Sequence, residues 1–136
     1  MTDAAQRCVP DTSAGAGSTT GWQRRVLIVE DDCIISSSLT DDLNEFGFVV
    51  LGPADNLMDA IAIASRSALD CALIDIALGG ENALPVAQIL TDRHIPFVFM
   101  TGASESAEGT FDNTPVLPKP FTIEELRLAL QRILSD

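Results

Sequence analysis

Tyrosine is absent from this 136-residue chain, tryptophan occurs once, and aromatic residues make up only 5% of it. A core of stacked rings is excluded, so the interior must be built from Ile, Leu, Val, Ala and six Phe. Cationic side chains are scarce too. Lys plus Arg number 8 against 20 Asp plus Glu, a net charge of −12, and Lys119 is the only lysine. That balance excludes the electrostatic footprint of a nucleic-acid binder and disfavours an anionic membrane surface. It suits a cation ligand, a basic partner or plain solubility. Long hydrophobic runs are missing: stretches such as Val26–Val29 and Ile95–Met100 fall far short of the roughly 20 residues that span a bilayer. The N-terminus lacks an apolar h-region, so no secretory signal is read. Cysteine is sparse, and Cys8, Cys33 and Cys71 show no metal-ligand spacing. An odd number argues against a disulfide framework, and a reducing cytoplasm is the expected compartment.

What is present is a chain 46% hydrophobic and 21% charged, enough apolar material for one domain and little room for a second. Residues 1–24 read as a flexible leader, because Ser13–Gly21 has no periodicity and cannot bury a face. Gly15, Gly17 and Gly21 come near a dinucleotide fingerprint. They precede the first strand instead of following it, and the last gap is one residue too long, so the linker reading stands.

From Arg25 to the end, short apolar runs alternate with helical patterns. Val26–Val29 stops at acids. Ile35, Leu39, Leu43 and Phe46 then share a helical face. Phe48–Leu51 is a second run, closed by Gly52-Pro53. Leu57, Ile61, Ala64 and Ala68 make a second stripe, capped by Asp55 or Asn56. Cys71–Ile74 ends at Asp75. A helix is expected over Ala83–Asp92, with Pro85 tolerated in its first turn. Phe97–Met100 ends at Thr101. Residues 103–113 are polar and contain Gly, so a helix there is expected to be short. Val116-Leu117 centres a brief fifth run. Thr122, with Glu125 three residues on, opens the last helix with a capping box, and Leu126, Leu130, Ile133 and Leu134 form its buried face.

Five runs read as apolar on both faces, each followed by a helix, imply a parallel sheet covered on both sides. The expected fold is α/β: a flavodoxin-like, doubly wound, five-stranded parallel sheet of order 2-1-3-4-5. In such sheets ligands bind at the carboxyl ends of the strands. Those ends carry Glu30, Asp31 and Asp32 after the first, Asp75 at the third, Thr101 at the fourth and Lys119 after the fifth. Two carboxylates about 4 Å apart repel by roughly 4 kcal/mol at an effective dielectric of about 20, so several together need a cation. Hard oxygen donors suit Mg²⁺. A carboxylate is also a competent nucleophile toward phosphorus, and the charge on the transferred group needs a metal, a hydroxyl and an ammonium beside it.

The motifs Val-Leu-Ile-Val-Glu-Asp-Asp (26–32), Leu-Ile-Asp (73–75), Met-Thr-Gly (100–102) and Leu-Pro-Lys-Pro-Phe (117–121) together resemble, in order, those of receiver domains of two-component response regulators. The resemblance covers about residues 25–135. It implies a phosphoacceptor at Asp75, Mg²⁺ held by Asp31, by Glu30 mostly through water, by Asp75 and by the backbone carbonyl of Ala77, and phosphoryl oxygens bound by Thr101 and Lys119. Asp32, just beyond the acid pair, reads as a helix-start residue. Phe97–Gly102, with the Leu78-Gly79-Gly80-Glu81 loop, is similar to a bacterial subgroup of small receivers with a Phe-Ala-Thr-Gly-type motif, often tied to HWE-class sensor kinases. The chain departs from the family in carrying Val116 where an aromatic residue often stands, and Ala103 where the subgroup commonly has Tyr.

The implied function is that of a signalling phosphoacceptor rather than an enzyme. It would take a phosphoryl group from a sensor histidine kinase or a histidine phosphotransfer protein, and act by contact with a downstream protein or by onward transfer. The expected organisation is a leader over 1–24 and a receiver over 25–136, with no output domain, no nucleic acid and no membrane. Two other readings compete. A haloacid-dehalogenase-type phosphohydrolase would need an Asp-x-Asp pair, which Asp31-Asp32-Cys33 does not supply. A pseudo-receiver would dock partners without phosphorylation. Elsewhere, His94 reads as a surface-loop residue, Cys71 as a small buried hydrophobe, Asp41-Asp42 as a solvated helix face, Lys119-Pro120 as a turn in which a cis bond is possible, and Trp22 as a side chain with no assigned role.

Overall fold

The computed structural model describes residues 23–102 and 114–134. Residues 1–22 of the expected leader, Trp22 among them, and the short helix expected within 103–113 lie outside the described residues.

Five strands form one parallel sheet: β1 (Arg25–Val29), β2 (Val49–Ala54), β3 (Cys71–Asp75), β4 (Phe97–Thr101) and β5 (Val116–Pro118), in spatial order β2-β1-β3-β4-β5. This is the expected order. Among the described residues there are four helices, α1 (Cys33–Glu45), α2 (Leu57–Arg66), α3 (Leu84–Asp92) and α4 (Ile123–Leu134). A separate two-stranded hairpin, Ala77–Leu78 against Glu81–Asn82, sits between β3 and α3.

Strand alternation divides the core in two. Leu27, Val29, Ala72, Ile74, Phe97 and Phe99 point to one face, where Ala60 and Ala64 of α2 and Val86, Ala87 and Leu90 of α3 cover them. Val26, Ile28, Cys71, Leu73, Val98 and Met100 point to the other, under Leu39 and Leu43 of α1 and Leu126 and Leu130 of α4. Within the first of these layers Phe97 packs against Phe99, edge to face, with ring centroids 5.3 Å apart. Cys71 is fully buried, and burial pushes its thiol up to about 12, so it acts as a small apolar side chain.

Local chemistry sets the helix starts. Asp32 caps α1, its carboxylate accepting from the amides of Ile34 (2.9 Å) and Ile35 (3.2 Å). Asn56, not Asp55, caps α2 through the Asp59 amide. Thr122 and Glu125 bond each other's amides, the expected capping box at the start of α4.

Three expectations are corrected. β2 does not close at Gly52-Pro53 but runs through it to Ala54, with Gly52 at φ +92 and the Gly52-Pro53 bond cis. A proline is tolerated there because β2 is an edge strand, bonded only to β1. For the same reason β2 is not apolar on both faces: its first three residues are half-buried and Gly52 and Pro53 are exposed. The stripe of α2 stops before Ala68, which is exposed. Arg25 and Arg93 there bond the carbonyls of Ala68, Ala64 and Ser67, and those guanidinium donors satisfy carbonyls that further helix would otherwise have used.

Candidate functional site

The parallel arrangement brings four strand ends to one edge of the sheet. β1 ends into Glu30 and Asp31. β3 ends at Asp75 and β4 at Thr101. Lys119 directly follows β5, its amide donating to the Thr101 carbonyl at 2.8 Å. Glu30, Asp31, Asp75, Thr101 and Lys119, the acids, hydroxyl and ammonium singled out in the sequence, stand at this edge.

Glu30, Asp31 and Asp75 each offer an oxygen within 4.8 Å of the others. Glu30 and Asp75 are buried, Asp31 is exposed. Lys119 answers their negative charge: its Nζ lies 2.9 Å from Glu30 Oε1 and 3.2 Å from Asp75 Oδ2. Backbone amides take further lone pairs. Asp32 N donates to Glu30 Oε2 at 3.1 Å, Ala77 N to Asp75 Oδ1 at 3.2 Å, and Gly79 N to Asp31 Oδ2 at 2.9 Å. Glu30 Oε1 is met by the Lys119 ammonium, and no other donor among the described residues bonds it.

Burial sets the protonation of Glu30. Desolvation pushes its carboxyl up to about 7; Lys119 and the Asp32 amide pull against that, while Asp75 adds to it. For Lys119, burial alone would lower the ammonium, but Glu30 and Asp75 outweigh it and raise it.

The donor set fits a hard divalent cation. Three carboxylates converge within 4.8 Å, two of them buried, with Lys119 set against both buried ones. Oxygen ligands of this kind match Mg²⁺, which takes one or two carboxylates and keeps several waters. Thr101 is buried at the end of β4, beside the strand that carries Asp75. Ala77 opens the hairpin immediately past Asp75. Asp32 points its carboxylate into the start of α1 and not into the cluster.

One participant escaped the sequence reading. Gly79, noted there only as part of a loop, supplies the amide that bonds Asp31. The available signal was Gly-Gly between two short pairable segments, the pattern of a two-residue hairpin turn. His94, Cys33 and the Asp41-Asp42 pair lie outside the cluster; His94 sits exposed in a turn at φ 63, Cys33 is exposed, and Asp41 and Asp42 lie within α1.

The model of the response regulator receiver domain family matches residues 26–131. Among curated relatives, the transcriptional regulatory protein PdtaR of Mycobacterium tuberculosis is 30% identical over 117 residues, covering 82% of this chain and 57% of its own length. The chain spans about half the length of the curated relatives it matches. Among solved structures, SdrG from Sphingomonas melonis Fr1 is 39% identical with a TM-score of 0.75, covering 83% of this chain and 98% of SdrG. A second SdrG structure, of its BeF3-activated conformation and from Pseudomonas melonis Fr1, is 40% identical with a TM-score of 0.69, covering 82% of this chain and 96% of that one. The receiver domain of a Pseudomonas aeruginosa sensor histidine kinase, with a magnesium ion coordinated in its active-site cleft, shares the fold at 22% identity and a TM-score of 0.71, covering 85% of this chain and all of that one.

Proposed function

Because the chain belongs to the response regulator receiver domain family of two-component systems, we propose that it accepts a phosphoryl group on Asp75 from a phosphohistidine. The donor is a sensor histidine kinase or a histidine phosphotransfer protein. The observation that carries this reading is the single lysine set between Glu30 and Asp75, at 2.9 and 3.2 Å, inside a cluster of three carboxylates.

A carboxylate oxygen of Asp75 attacks phosphorus, the bond from phosphorus to the imidazole nitrogen breaks, and the electron pair leaves with the histidine. Asp75 suits this role because it is buried yet keeps its charge partnered by Lys119 and by the Ala77 amide. Asp31, Asp75 and the Ala77 carbonyl, with Glu30 mostly through water, would hold Mg²⁺, which when bound would offset the charge of the incoming phosphoryl oxygens. Lys119 moves from the carboxylates to the phosphoryl group, and the buried Thr101 offers its hydroxyl to another oxygen of that group. The chain catalyses only its own phosphorylation and slow dephosphorylation. It signals by contact with a downstream protein or by onward transfer. The likeness of residues 97–102 and 78–81 to small receivers points to an HWE-class kinase as donor, and a cytoplasmic location follows from such a donor.

The reading is tested by incubating the chain with acetyl phosphate or a phosphorylated kinase and measuring intact mass. One stable added phosphoryl group, lost in Asp75→Asn with the fold unchanged, is expected. Steady release of free phosphate would favour a hydrolase, and no modification of the wild-type chain would favour a docking module. Transfer to Asp75→Asn at the wild-type rate would overturn the assignment of the nucleophile.

A further inference from the structure

The hairpin between β3 and α3 does more than connect two elements. Ala77 opens its first arm and Gly79 begins its turn, and both donate their amides to carboxylates of the acidic cluster. Ala77 bonds Asp75 at 3.2 Å and Gly79 bonds Asp31 at 2.9 Å. One short segment of three residues, strand then turn, therefore ties the carboxylate that follows β1 to the carboxylate that ends β3.

The arm is fixed from beneath. Leu78, between the two donors, is 1% exposed and belongs to the core under α2 and α3. At the base of the hairpin the Ala83 amide bonds the Ile76 carbonyl at 2.9 Å, and Asn82 Oδ1 accepts from the Leu84 amide at 2.7 Å. Gly79 and Gly80 turn the chain at φ +57 and +83, a conformation that side chains other than glycine adopt at a cost. The turn thus sets the Gly79 amide against an exposed carboxylate that has no other hydrogen bond among the described residues. A bond of an amide to a charged oxygen is among the stronger and more directional ones.

We propose that Gly79 is a positioning residue for the acidic cluster, its amide holding the Asp31 carboxylate in the orientation that binds a divalent cation. This rests on the reading of Glu30, Asp31 and Asp75 as a cation site. One oxygen of Asp31 is held by the hairpin, which leaves the other for the metal. Without that bond an exposed aspartate would be free among its rotamers, and part of the binding energy would be spent in ordering it. Partners that orient metal ligands in this way typically change metal affinity by about 10–100-fold.

Amide NMR of the whole chain during a MgCl2 titration tests this. In metal-free wild type the Gly79 amide proton is expected downfield, as for a bond to a charged acceptor. It should shift during the titration with the same midpoint as the Ala77 amide. Asp31→Ala should return it to an ordinary position and speed its hydrogen exchange, with the Ala83 amide still protected. Gly79→Pro, which removes the donor, should weaken Mg²⁺ binding about 10-fold. Gly80→Ala strains the same turn but keeps the Gly79 amide, and should leave affinity within about twofold of wild type. Equal weakening by both variants, or a Gly79 signal indifferent to Asp31→Ala, would overturn the positioning role. If Gly79→Pro does not fold, the Asp31→Ala arm decides alone. If wild type shows no saturable shift at Ala77, the cation reading falls and this role falls with it. Saturable binding with an indifferent Gly79 overturns the positioning role only.

Discussion

The ammonium of Lys119 stands 2.9 Å from Oε1 of Glu30, a side chain that is 1% exposed. Burial disfavours the carboxylate and Lys119 favours it, and burial prevails, leaving Glu30 at about 7. In the metal-free protein near neutrality this carboxyl is therefore poised between its two forms. A second cation arriving at the cluster would complete what Lys119 only begins, by drawing the proton off.

Stability should consequently depend on pH in a particular direction. An unfolded glutamate titrates at its ordinary 4.5, the folded one at about 7. Between these values the folded state holds a proton that the unfolded state has released, so the contribution of Glu30 is full below about pH 4.5 and is lost as pH rises through 7. Thermal melts of the metal-free chain from pH 4.5 to 8 should show this decline, and Glu30→Gln should flatten it. Lys119→Ala should steepen it, because removing the ammonium leaves a buried carboxylate unanswered at the high end. A Glu30→Gln profile parallel to wild type would refute the assignment.

Magnesium should stabilise the fold. A ligand bound only by the folded state adds about 2.7 kcal/mol at 100 times its dissociation constant. A rise in melting temperature with millimolar Mg²⁺ is expected, smaller in Asp31→Asn. Because proton and metal compete for Glu30, the response should shrink as pH falls below 7. A melting curve unmoved by Mg²⁺ at pH 8 would count against the site.

Asp32 adjoins the acid pair in sequence, yet its carboxylate caps α1. Asp32→Ala should cost about 1 kcal/mol of stability and leave Mg²⁺ affinity and phosphoryl transfer close to wild type. A large loss of affinity at unchanged stability would move Asp32 into the metal site.

The Lys119 amide bonds the Thr101 carbonyl at 2.8 Å, and Val116 on β5 is 46% exposed. Drawing Lys119 and Thr101 toward a phosphoryl group should therefore move the backbone beyond β4 and around β5, with no aromatic side chain at 116 to carry the change. Hydrogen exchange with and without beryllofluoride should differ most at Thr101, Gly102 and residues 114–121. A change confined to the neighbourhood of Asp75 would sink this switch.

Much of the fold was legible because its signals are local. The apolar runs at 26–29, 71–74 and 97–100 are strands, and Thr122 with Glu125 marks a helix start wherever it stands. β2 was misread at Gly52-Pro53 because the meaning of that pair depends on whether a neighbour lies on both sides of the strand. Only the sheet order, which leaves β2 at an edge, supplies the answer.

The same division holds at the site. The sequence by itself determined which groups are available: four acids, a hydroxyl and one lysine, each at the end of an apolar run, and hence all on one edge of any parallel sheet built from those runs. Tertiary structure alone decided how they interact. Adjacency in sequence says that Glu30, Asp31 and Asp32 are acids; it does not say that the first is buried against Lys119, the second held by Gly79 and the third spent on a helix cap. Those fates differ because burial and charge pairing depend on groups brought from 48 and 89 residues away in the chain, and the energy of a carboxylate is set by those surroundings rather than by its own neighbours along the backbone.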